Sequence, residues 1–178
     1  MSPTLSLENK VALVTGGSRG IGRAIALEFA SRGAAVVVNY NKSPEAAEEV
    51  VKQIQSTGGK AAAFQADVSD FKQAEALVKF ALDTFGDLSI LVNNAGITRD
   101  QLIMLMPEAD WDAVINTNLK STFNCSKAAI KHMMRKRTGR IISIASVAGQ
   151  MGNPGQTNYS ASKGGQIAFT KALAREVA

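Results

Sequence analysis

A tyrosine and a lysine near the end of the chain have a spacing that suits proton transfer. Tyr159 and Lys163 are four residues apart in Tyr-Ser-Ala-Ser-Lys, and residues at this spacing share one face of a helix. An ammonium about 5 Å from a phenol favours the phenolate by roughly 3 kcal/mol at an effective dielectric constant of about 20. This lowers a phenol's pKa from about 10 by about two units, which makes it a usable general acid. Two unrelated helix-surface residues would show the same spacing.

Glycines with a phosphate-binding character follow the first apolar segment of the chain. Gly16, Gly20 and Gly22 form the pattern G-x-x-x-G-x-G directly after Lys10–Thr15. Such glycines allow a tight turn and the close approach of a pyrophosphate to the backbone, at the positive end of the following helix. Glycines after a strand are otherwise ordinary turn residues.

The elements that position these residues alternate between strand and helix patterns. We predict strands at Lys10–Thr15, Ala34–Tyr40, Lys60–Ala66, Leu88–Asn93 and Arg140–Ser146. We predict helices from the glycine turn to Arg32, from Ser43 to Gly58, from Ser69 or Asp70 to Phe85, from Pro107 to Arg137, and beyond the loop Gly149–Asn158.

This alternation indicates an α/β fold, a doubly wound parallel sheet of the Rossmann type with strand order 3-2-1-4-5. We expect residues 1–178 to form one domain. Ligands bind such sheets at the carboxyl ends of the strands. The glycine turn, Asp67, Asn93–Gly96, Ser146 and Tyr159 all fall there.

The composition narrows the class of protein. Charged residues make up 20% of the chain and apolar ones 46%, without an apolar run long enough to span a membrane. A single cysteine, Cys125, and a start without secretory features lead us to expect a cytoplasmic protein. The only histidine is His132, so we expect no histidine or cysteine metal site.

The net charge of +5 has one concentrated source, the segment Lys131–Arg140. No aromatic residue is interleaved there, so we do not expect nucleic-acid binding. The cations complement the dipole of a helix C-terminus, or they form a docking patch for an acidic partner.

The end of the second predicted strand bears on the choice of cofactor. It reads Asn39-Tyr40-Asn41-Lys42, without the carboxylate that usually binds the ribose of NAD. Arg19 lies inside the glycine turn, where a guanidinium pairs well with a 2′-phosphate. We therefore predict NADP(H). Asp67 either accepts from the adenine amino group or caps the next helix.

Four motifs together resemble the short-chain dehydrogenase/reductase family, from about Leu7 to the last residue. They are Thr15-Gly-x-x-x-Gly-x-Gly22, Asn93-Asn-Ala-Gly96, Ser146 and Tyr159-x-x-x-Lys163. Within the family, stretches such as TGGSRGIG, NNAGITRD and GNPGQTNYSASKGG are most similar to 3-oxoacyl-acyl-carrier-protein reductases of type II fatty acid synthesis. The family domain normally continues past this last helix, so we expect a domain that is incomplete at its C-terminus relative to the family.

The resemblance implies a role for each residue of the site. Tyr159 matches the general acid, Lys163 the residue that lowers the tyrosine pKa and holds the nicotinamide ribose, and Ser146 the hydroxyl that binds the carbonyl. Asn118 matches a helix asparagine that supports a water relay to the lysine. Because asparagine is unfavourable within a helix, we expect a local break there. The candidate cofactor-binding residues are Gly16, Ser18, Arg19, Gly20, Ile21, Gly22, Asn39, Tyr40, Asp67, Val68, Asn93, Ala95, Gly96, Tyr159 and Lys163, and the candidate substrate-binding residues are Ser146, Gln156 and Tyr159.

The activity implied is NADPH-dependent reduction of a 3-oxoacyl thioester linked to acyl carrier protein. The alternatives are a reductase of acetoacetyl-CoA or another ketone, and a cofactor-binding fragment without turnover. Related reductases make Arg137 and Arg140 candidates for docking the carrier protein. They also imply a homo-tetramer, with Pro107–Arg137 and Tyr159–Ala178 as candidate interface segments.

Overall fold

Five strands form one parallel sheet in the computed structural model, which describes residues 6–178. They are β1 (Val11–Val14), β2 (Ala35–Tyr40), β3 (Ala61–Gln65), β4 (Ile90–Asn93) and β5 (Arg140–Ser143). Their order is β3-β2-β1-β4-β5, and each neighbouring pair is parallel. The predicted α/β class and strand order are confirmed.

Helices connect successive strands, and two more follow the last strand. They are α1 (Gly20–Ser31), α2 (Pro44–Ser56), α3 (Phe71–Phe85), α4 (Glu108–Val114), α5 (Ser121–Lys136), α6 (Ala148–Met151) and α7 (Thr157–Glu176). A short 3₁₀ turn, Ile103–Leu105, lies between β4 and α4. Within residues 6–178 no helix combines the length and the apolar character that crossing a membrane requires.

Alternate residues of the central strands enter two separate apolar cores. Ala12 and Val14 of β1 pack with residues of α1 and α2, whereas Leu13 between them packs with α3 and α5. Leu13 lies opposite Val37 of β2 and Leu91 of β4, and all three are fully buried. Because successive strand side chains point to opposite faces, an uninterrupted apolar run marks a sheet that is covered on both sides.

The predicted helix from Pro107 to Arg137 contains a wider turn. The chain is α-helical in α4, π-helical over Ile115–Lys120, and α-helical again in α5. Asn118 lies in the wider turn, so the break expected at this residue is present. The helix ends at Lys136, and Arg137 follows in the left-handed conformation with φ 52°.

The segment after β5 differs from the prediction in two ways. The strand was predicted to reach Ser146 but ends at Ser143; one further amide, that of Ile144, donates to Asn93. The carbonyl of Ile144 turns instead to the Lys163 ammonium. The predicted loop Gly149–Asn158 contains most of α6 and the first residues of α7.

A polar cluster fixes the opposite, amino edge of the sheet. One oxygen of Asp87 lies 2.7 Å from His132 Nε2 and 2.9 Å from Lys136 Nζ, and the other accepts from Ser89 Oγ. Burial raises the pKa of Asp87, but the hydrogen bonds from His132, Lys136 and Ser89 outweigh it and leave the pKa well below the usual range. His132 and part of the basic segment therefore hold α5 against the start of β4.

Candidate active site

The predicted site residues converge on the carboxyl edge of the sheet. The glycine turn follows β1, Asn39 and Tyr40 end β2, and Asp67 lies two residues past β3. Because all five strands are parallel, their carboxyl ends meet along one edge. Asn93–Gly96 leaves β4 at this edge, and Ser146 follows β5 there.

The glycine turn is shaped by a close approach of the backbone. Gly16 has φ +61°, which favours glycine. A Cβ on Gly22 would lie 2.3 Å from the Gly16 carbonyl oxygen and 2.5 Å from Asn94 Nδ2, so no side chain fits there. The side chain of Arg19, the N-cap of α1, makes no capping hydrogen bond. The first amides of α1 are thus arranged as in an anion-binding helix N-terminus.

Asn39 supports the glycine turn from within the protein. Its Oδ1 accepts from the Gly16 amide at 3.1 Å, and its Nδ2 donates to the Ala66 carbonyl at 3.1 Å. The side chain is 2% exposed. Tyr40, the next residue, is half-buried at the end of β2, and Arg19 is exposed at the turn.

Asp67 does not cap the following helix. Its Oδ1 accepts from the amide and the hydroxyl of Ser69, while Asp70 accepts from the Gln73 amide as the N-cap of α3. Burial raises the pKa of Asp67, but the Ser69 hydrogen bonds, Asn41 and the nearby Lys42 outweigh it, so the pKa is lowered. The carboxylate stays charged at the sheet edge, and Val68 beside it is buried.

Asn94 joins the β4 loop to the glycine turn, a role that the sequence reading missed. Its Nδ2 donates to the carbonyls of Thr15 and Gly16 at 2.9 and 3.1 Å. Thr15 Oγ1 in turn accepts from the amides of Asn94 and Ala95. Asn93 is buried and donates to Ser126, while Gly96 is exposed.

Asn118 connects three parts of the site. Its Oδ1 accepts from the Ile97 amide at 2.8 Å, and its Nδ2 donates to the Ile97 carbonyl and to Ser162 Oγ, both at 3.0 Å. Ser162 Oγ donates to the Tyr159 carbonyl at 2.7 Å. Both Asn118 and Ser162 are fully buried, so the π-helical turn, the β4 loop and α7 are held together.

Tyr159 and Lys163 lie on one face of α7, as their spacing predicts. Lys163 Nζ is 5.8 Å from the centroid of the Tyr159 ring. It donates to the Ile144 carbonyl at 2.6 Å and to Gln166 Oε1 at 3.1 Å. Burial lowers the pKa of Lys163 from 10.5 to about 8, because a low-dielectric environment disfavours the ammonium.

The hydroxyls of Tyr159 and Ser146 remain available for a ligand. The hydrogen bonds of Tyr159 within residues 6–178 use its backbone N–H and carbonyl. Ser146 Oγ accepts from the Ala148 amide at 3.2 Å, which leaves its O–H to donate. A Cβ on Gly149 would lie 2.8 Å from Lys163 Cβ, so the Ser146 loop packs directly on α7.

Gln156 has a structural contact at the rim of the site. Its Nε2 donates to Asp100 at 2.8 Å, and the Gly155 carbonyl beside it accepts from the Gln101 amide. These bonds attach the start of α7 to the loop after β4. The side chain is half-buried, so the candidate substrate residue reaches the rim with its amide already engaged.

The basic candidates lie apart from these residues. Arg137 and Arg140 are exposed where α5 ends and β5 begins, at the amino edge of the sheet. They border a groove of about 570 Å³ between α5, β5 and α7, whose apolar lining includes Met134, Phe169 and Leu173. The structure does not bring this groove to the tyrosine and lysine.

Comparison with known proteins gives a consistent family. Residues 10–178 match the model of the family described as short chain dehydrogenase. A 3-oxoacyl-[acyl-carrier-protein] reductase of Synechocystis sp. is 54% identical over 173 residues, covering 97% of this chain and 70% of the relative. One from Staphylococcus aureus is 54% identical over 169 residues, covering 95% and 69%.

A solved structure shares the fold. A short chain dehydrogenase from Mycobacterium avium superimposes with a TM-score of 0.92 at 40% identity and covers 97% of this chain. The chain spans 64% of that protein.

Proposed function

The chain belongs to the short-chain dehydrogenase family of oxidoreductases, and on this basis we propose that it carries the cofactor-binding and proton-transfer part of a 3-oxoacyl thioester reductase. The substrate is linked to acyl carrier protein, and the cofactor is NADPH. The relatives named as 3-oxoacyl-[acyl-carrier-protein] reductases, at 54% identity, support this substrate class.

One observation carries the proposal. The buried Lys163 ammonium faces the Tyr159 ring at 5.8 Å, at the same sheet edge as a glycine turn that excludes a side chain at position 22. The proposed proton donor and the proposed phosphate-binding turn therefore share one edge of the sheet. This is the arrangement that reduction of a ketone by a dinucleotide requires.

The residues present fit a dinucleotide. The first amides of α1 and the absence of a side chain at Gly22 suit a pyrophosphate. The exposed Gly96, beside Asn118, leaves space for a ribose next to the sheet. When bound, the nicotinamide supplies the hydride for the substrate carbonyl.

The chain's own groups handle the proton and the developing charge. The Ser146 hydroxyl donates to the substrate carbonyl oxygen, which stabilises negative charge as it forms there. The Tyr159 hydroxyl transfers its proton to that oxygen and becomes a phenolate. The Lys163 ammonium stabilises the phenolate and would hold the nicotinamide ribose of a bound cofactor. Asn118 holds the π-helical turn to the β4 loop and to α7, and we propose that a water relay to Lys163 starts from this turn.

We attribute the preference for NADPH to Arg19. It is exposed at the N-cap of α1, so its guanidinium is free to meet a 2′-phosphate. The four residues from Asn39 to Lys42 supply no carboxylate that would instead bind the ribose hydroxyl of NAD.

Carrier-protein docking is proposed at Arg137 and Arg140, which are exposed and add to the positive charge at the end of α5. Because they lie at the amino edge of the sheet, the carrier's flexible arm must reach the site around this edge or in another subunit.

We propose a tetramer, to which the half-exposed Trp111 and Phe123 contribute. We also propose a cytoplasmic location, consistent with one unpaired buried cysteine.

The test follows NADPH absorbance with acetoacetyl-CoA and with an acyl-carrier-protein thioester. We expect turnover that Tyr159→Phe lowers by roughly a hundredfold or more without loss of NADPH binding. Turnover that survives in Tyr159→Phe contradicts the mechanism. NADPH binding without turnover in the unsubstituted chain identifies a cofactor-binding fragment. Loss of activity in Arg137→Glu only with the carrier thioester supports docking there.

A further inference from the structure

A buried glutamine links the lysine of the site to the π-helical turn. Gln166 is one turn past Lys163 on α7 and is fully buried. Its Oε1 accepts from Lys163 Nζ at 3.1 Å, and its Nε2 donates to Thr122 Oγ1 at 2.7 Å. Thr122 Oγ1 donates to the Asn118 carbonyl at 3.0 Å. The four residues form a continuous chain of hydrogen bonds.

The donor and acceptor groups fix the direction of this series of hydrogen bonds. An ammonium only donates, so the oxygen of the Gln166 amide must face Lys163. The amide nitrogen then faces Thr122, whose hydroxyl hydrogen is already given to the Asn118 carbonyl. Turning the amide over would set two donors against each other at Lys163. The glutamine therefore has one favoured orientation.

The connection is repeated one helical turn away. Asn118 and Thr122 are four residues apart on one helix, and Ser162 and Gln166 are four apart on the other. Asn118 bonds to Ser162, and Thr122 bonds to Gln166, with all four residues at most 1% exposed. Because water does not reach these groups, a missing partner is not replaced by solvent.

We infer that Gln166 is a positioning residue for Lys163, holding the ammonium between the Ile144 carbonyl and the Gln166 amide oxygen at the distance where it serves Tyr159. The inference deepens the proposed function and rests on it for the role of Lys163. Leucine at this position would leave the ammonium with one fixed acceptor. The Lys163 side chain would then reorient, and this should lower kcat more than it weakens cofactor binding.

The surroundings of the ammonium make its titration a direct readout. Tyr159, on the same helix, is the titratable group that faces it. The other neighbours are the Ile144 carbonyl at the end of β5 and the Gln166 amide. None of the salt bridges within residues 6–178 includes Lys163. A change at Gln166 therefore acts on Lys163 without a competing carboxylate.

The experiment measures the Lys163 pKa by NMR of the labelled side chain in the cofactor-free protein, beside kcat and KM for NADPH. Gln166→Leu should lower this pKa by about one unit, and Gln166→Glu should raise it by at least as much. Gln166→Leu should also lower kcat about tenfold, with a smaller change in KM. Thr122→Val, which frees the amide without touching Lys163, should shift the pKa in the same direction as Gln166→Leu.

Thr170→Val is the matched control. Thr170 lies one turn further along α7, where its hydroxyl bonds to Ser143 Oγ and to the backbone carbonyl of Gln166. It makes no bond to the Gln166 side chain or to Lys163, so this substitution should leave the Lys163 pKa and kcat unchanged. An unchanged Lys163 pKa in folded Gln166→Glu overturns the inference, as does an equal shift in Thr170→Val. If Gln166→Leu does not fold, the Lys163 pKa values of Gln166→Glu and Thr122→Val test the inference. Absence of turnover in the unsubstituted chain contradicts the proposed function, while the NMR result still decides the role of Gln166.

Discussion

The amide of Asn118 donates to the hydroxyl of Ser162 across 3.0 Å, and that hydroxyl donates to the carbonyl of Tyr159. The residue that widens the long helix is thus two hydrogen bonds from the backbone of the proposed general acid. Since the same asparagine also holds both backbone groups of Ile97, the position of Tyr159 depends on the π-helical turn.

Replacing Asn118 with alanine should therefore damage both stability and turnover. Three hydrogen bonds are lost, of which the one to Ser162 is buried and the two to Ile97 are partly buried. Both Ile97 backbone groups lose their partner, so we expect the free energy of unfolding to fall by about 2–4 kcal/mol. Denaturant unfolding and steady-state rates measure the two effects. Asn116→Ala is the control, because Asn116 is exposed two residues earlier; equal effects of both substitutions would contradict the role given to Asn118.

Gly22→Ala should weaken cofactor binding. The added methyl group would overlap the Gly16 carbonyl, at 2.3 Å, and the Asn94 amide. Opening the turn to admit it displaces the amides that suit a phosphate, and we expect NADPH affinity to fall at least tenfold. Gly20→Ala is the comparison. No atom lies within 4 Å of its Cβ, and its φ of +53° carries only a modest strain, about 1 kcal/mol. Isothermal titration of both variants with NADPH tests the difference.

Arg19→Ala should reduce the preference for NADPH over NADH by roughly tenfold to a hundredfold, because a charged hydrogen bond to the 2′-phosphate contributes roughly 1.5–3 kcal/mol. The ratio of kcat/KM for the two cofactors measures this preference. Arg23→Ala offers a matched loss of charge one turn later, where the guanidinium bonds to Gln53. An Arg19→Ala protein that kept its preference would refute the assignment.

Because Lys163 is buried, the free energy of unfolding should change with pH in the alkaline range. The pKa of Lys163 is about 8 in the folded chain, below its ordinary value of 10.5, so the unfolded chain binds more protons between these values. Stability therefore rises with pH across this window. Relative to Lys163→Met, the unfolding free energy of the unsubstituted chain should rise by roughly 3 kcal/mol from pH 8 to above pH 10.5. A flat difference across that range would contradict the burial of a charged lysine.

The sheet was predictable because its strands are apolar runs between glycines. The run from Lys10 to Thr15 and the one from Ala34 to Tyr40 differ from the observed strands by one residue at most at each end. The end of β5 was not predictable, since Ile144 leaves the sheet to bind Lys163, nineteen residues further along the chain.

Some residues of the site could be predicted from the sequence and others could not, again because only local patterns are visible there. Tyr159, Lys163 and the glycine turn have local spacing that indicates chemistry. Gln166 has no such pattern, and its role arises from a contact with Thr122, 44 residues away in the sequence. One signal was present. Ser162 and Gln166 place polar side chains one turn apart, beside Lys163, on a face that the structure buries.

The π-helical turn also sets the rotational phase between α4 and α5. In a π turn the backbone hydrogen bonds join residues five apart, whereas in an α-helix they join residues four apart. The π turn is therefore equivalent to one residue inserted into a continuous α-helix. One residue rotates a helix by about 100°. Deleting a single residue within 115–120 would restore a regular helix, yet it would turn α4 about its own axis and move Val114 out of its buried position. A regular α-helix from α4 to α5 would therefore not bury the same face of α4 as the helix with the π turn does.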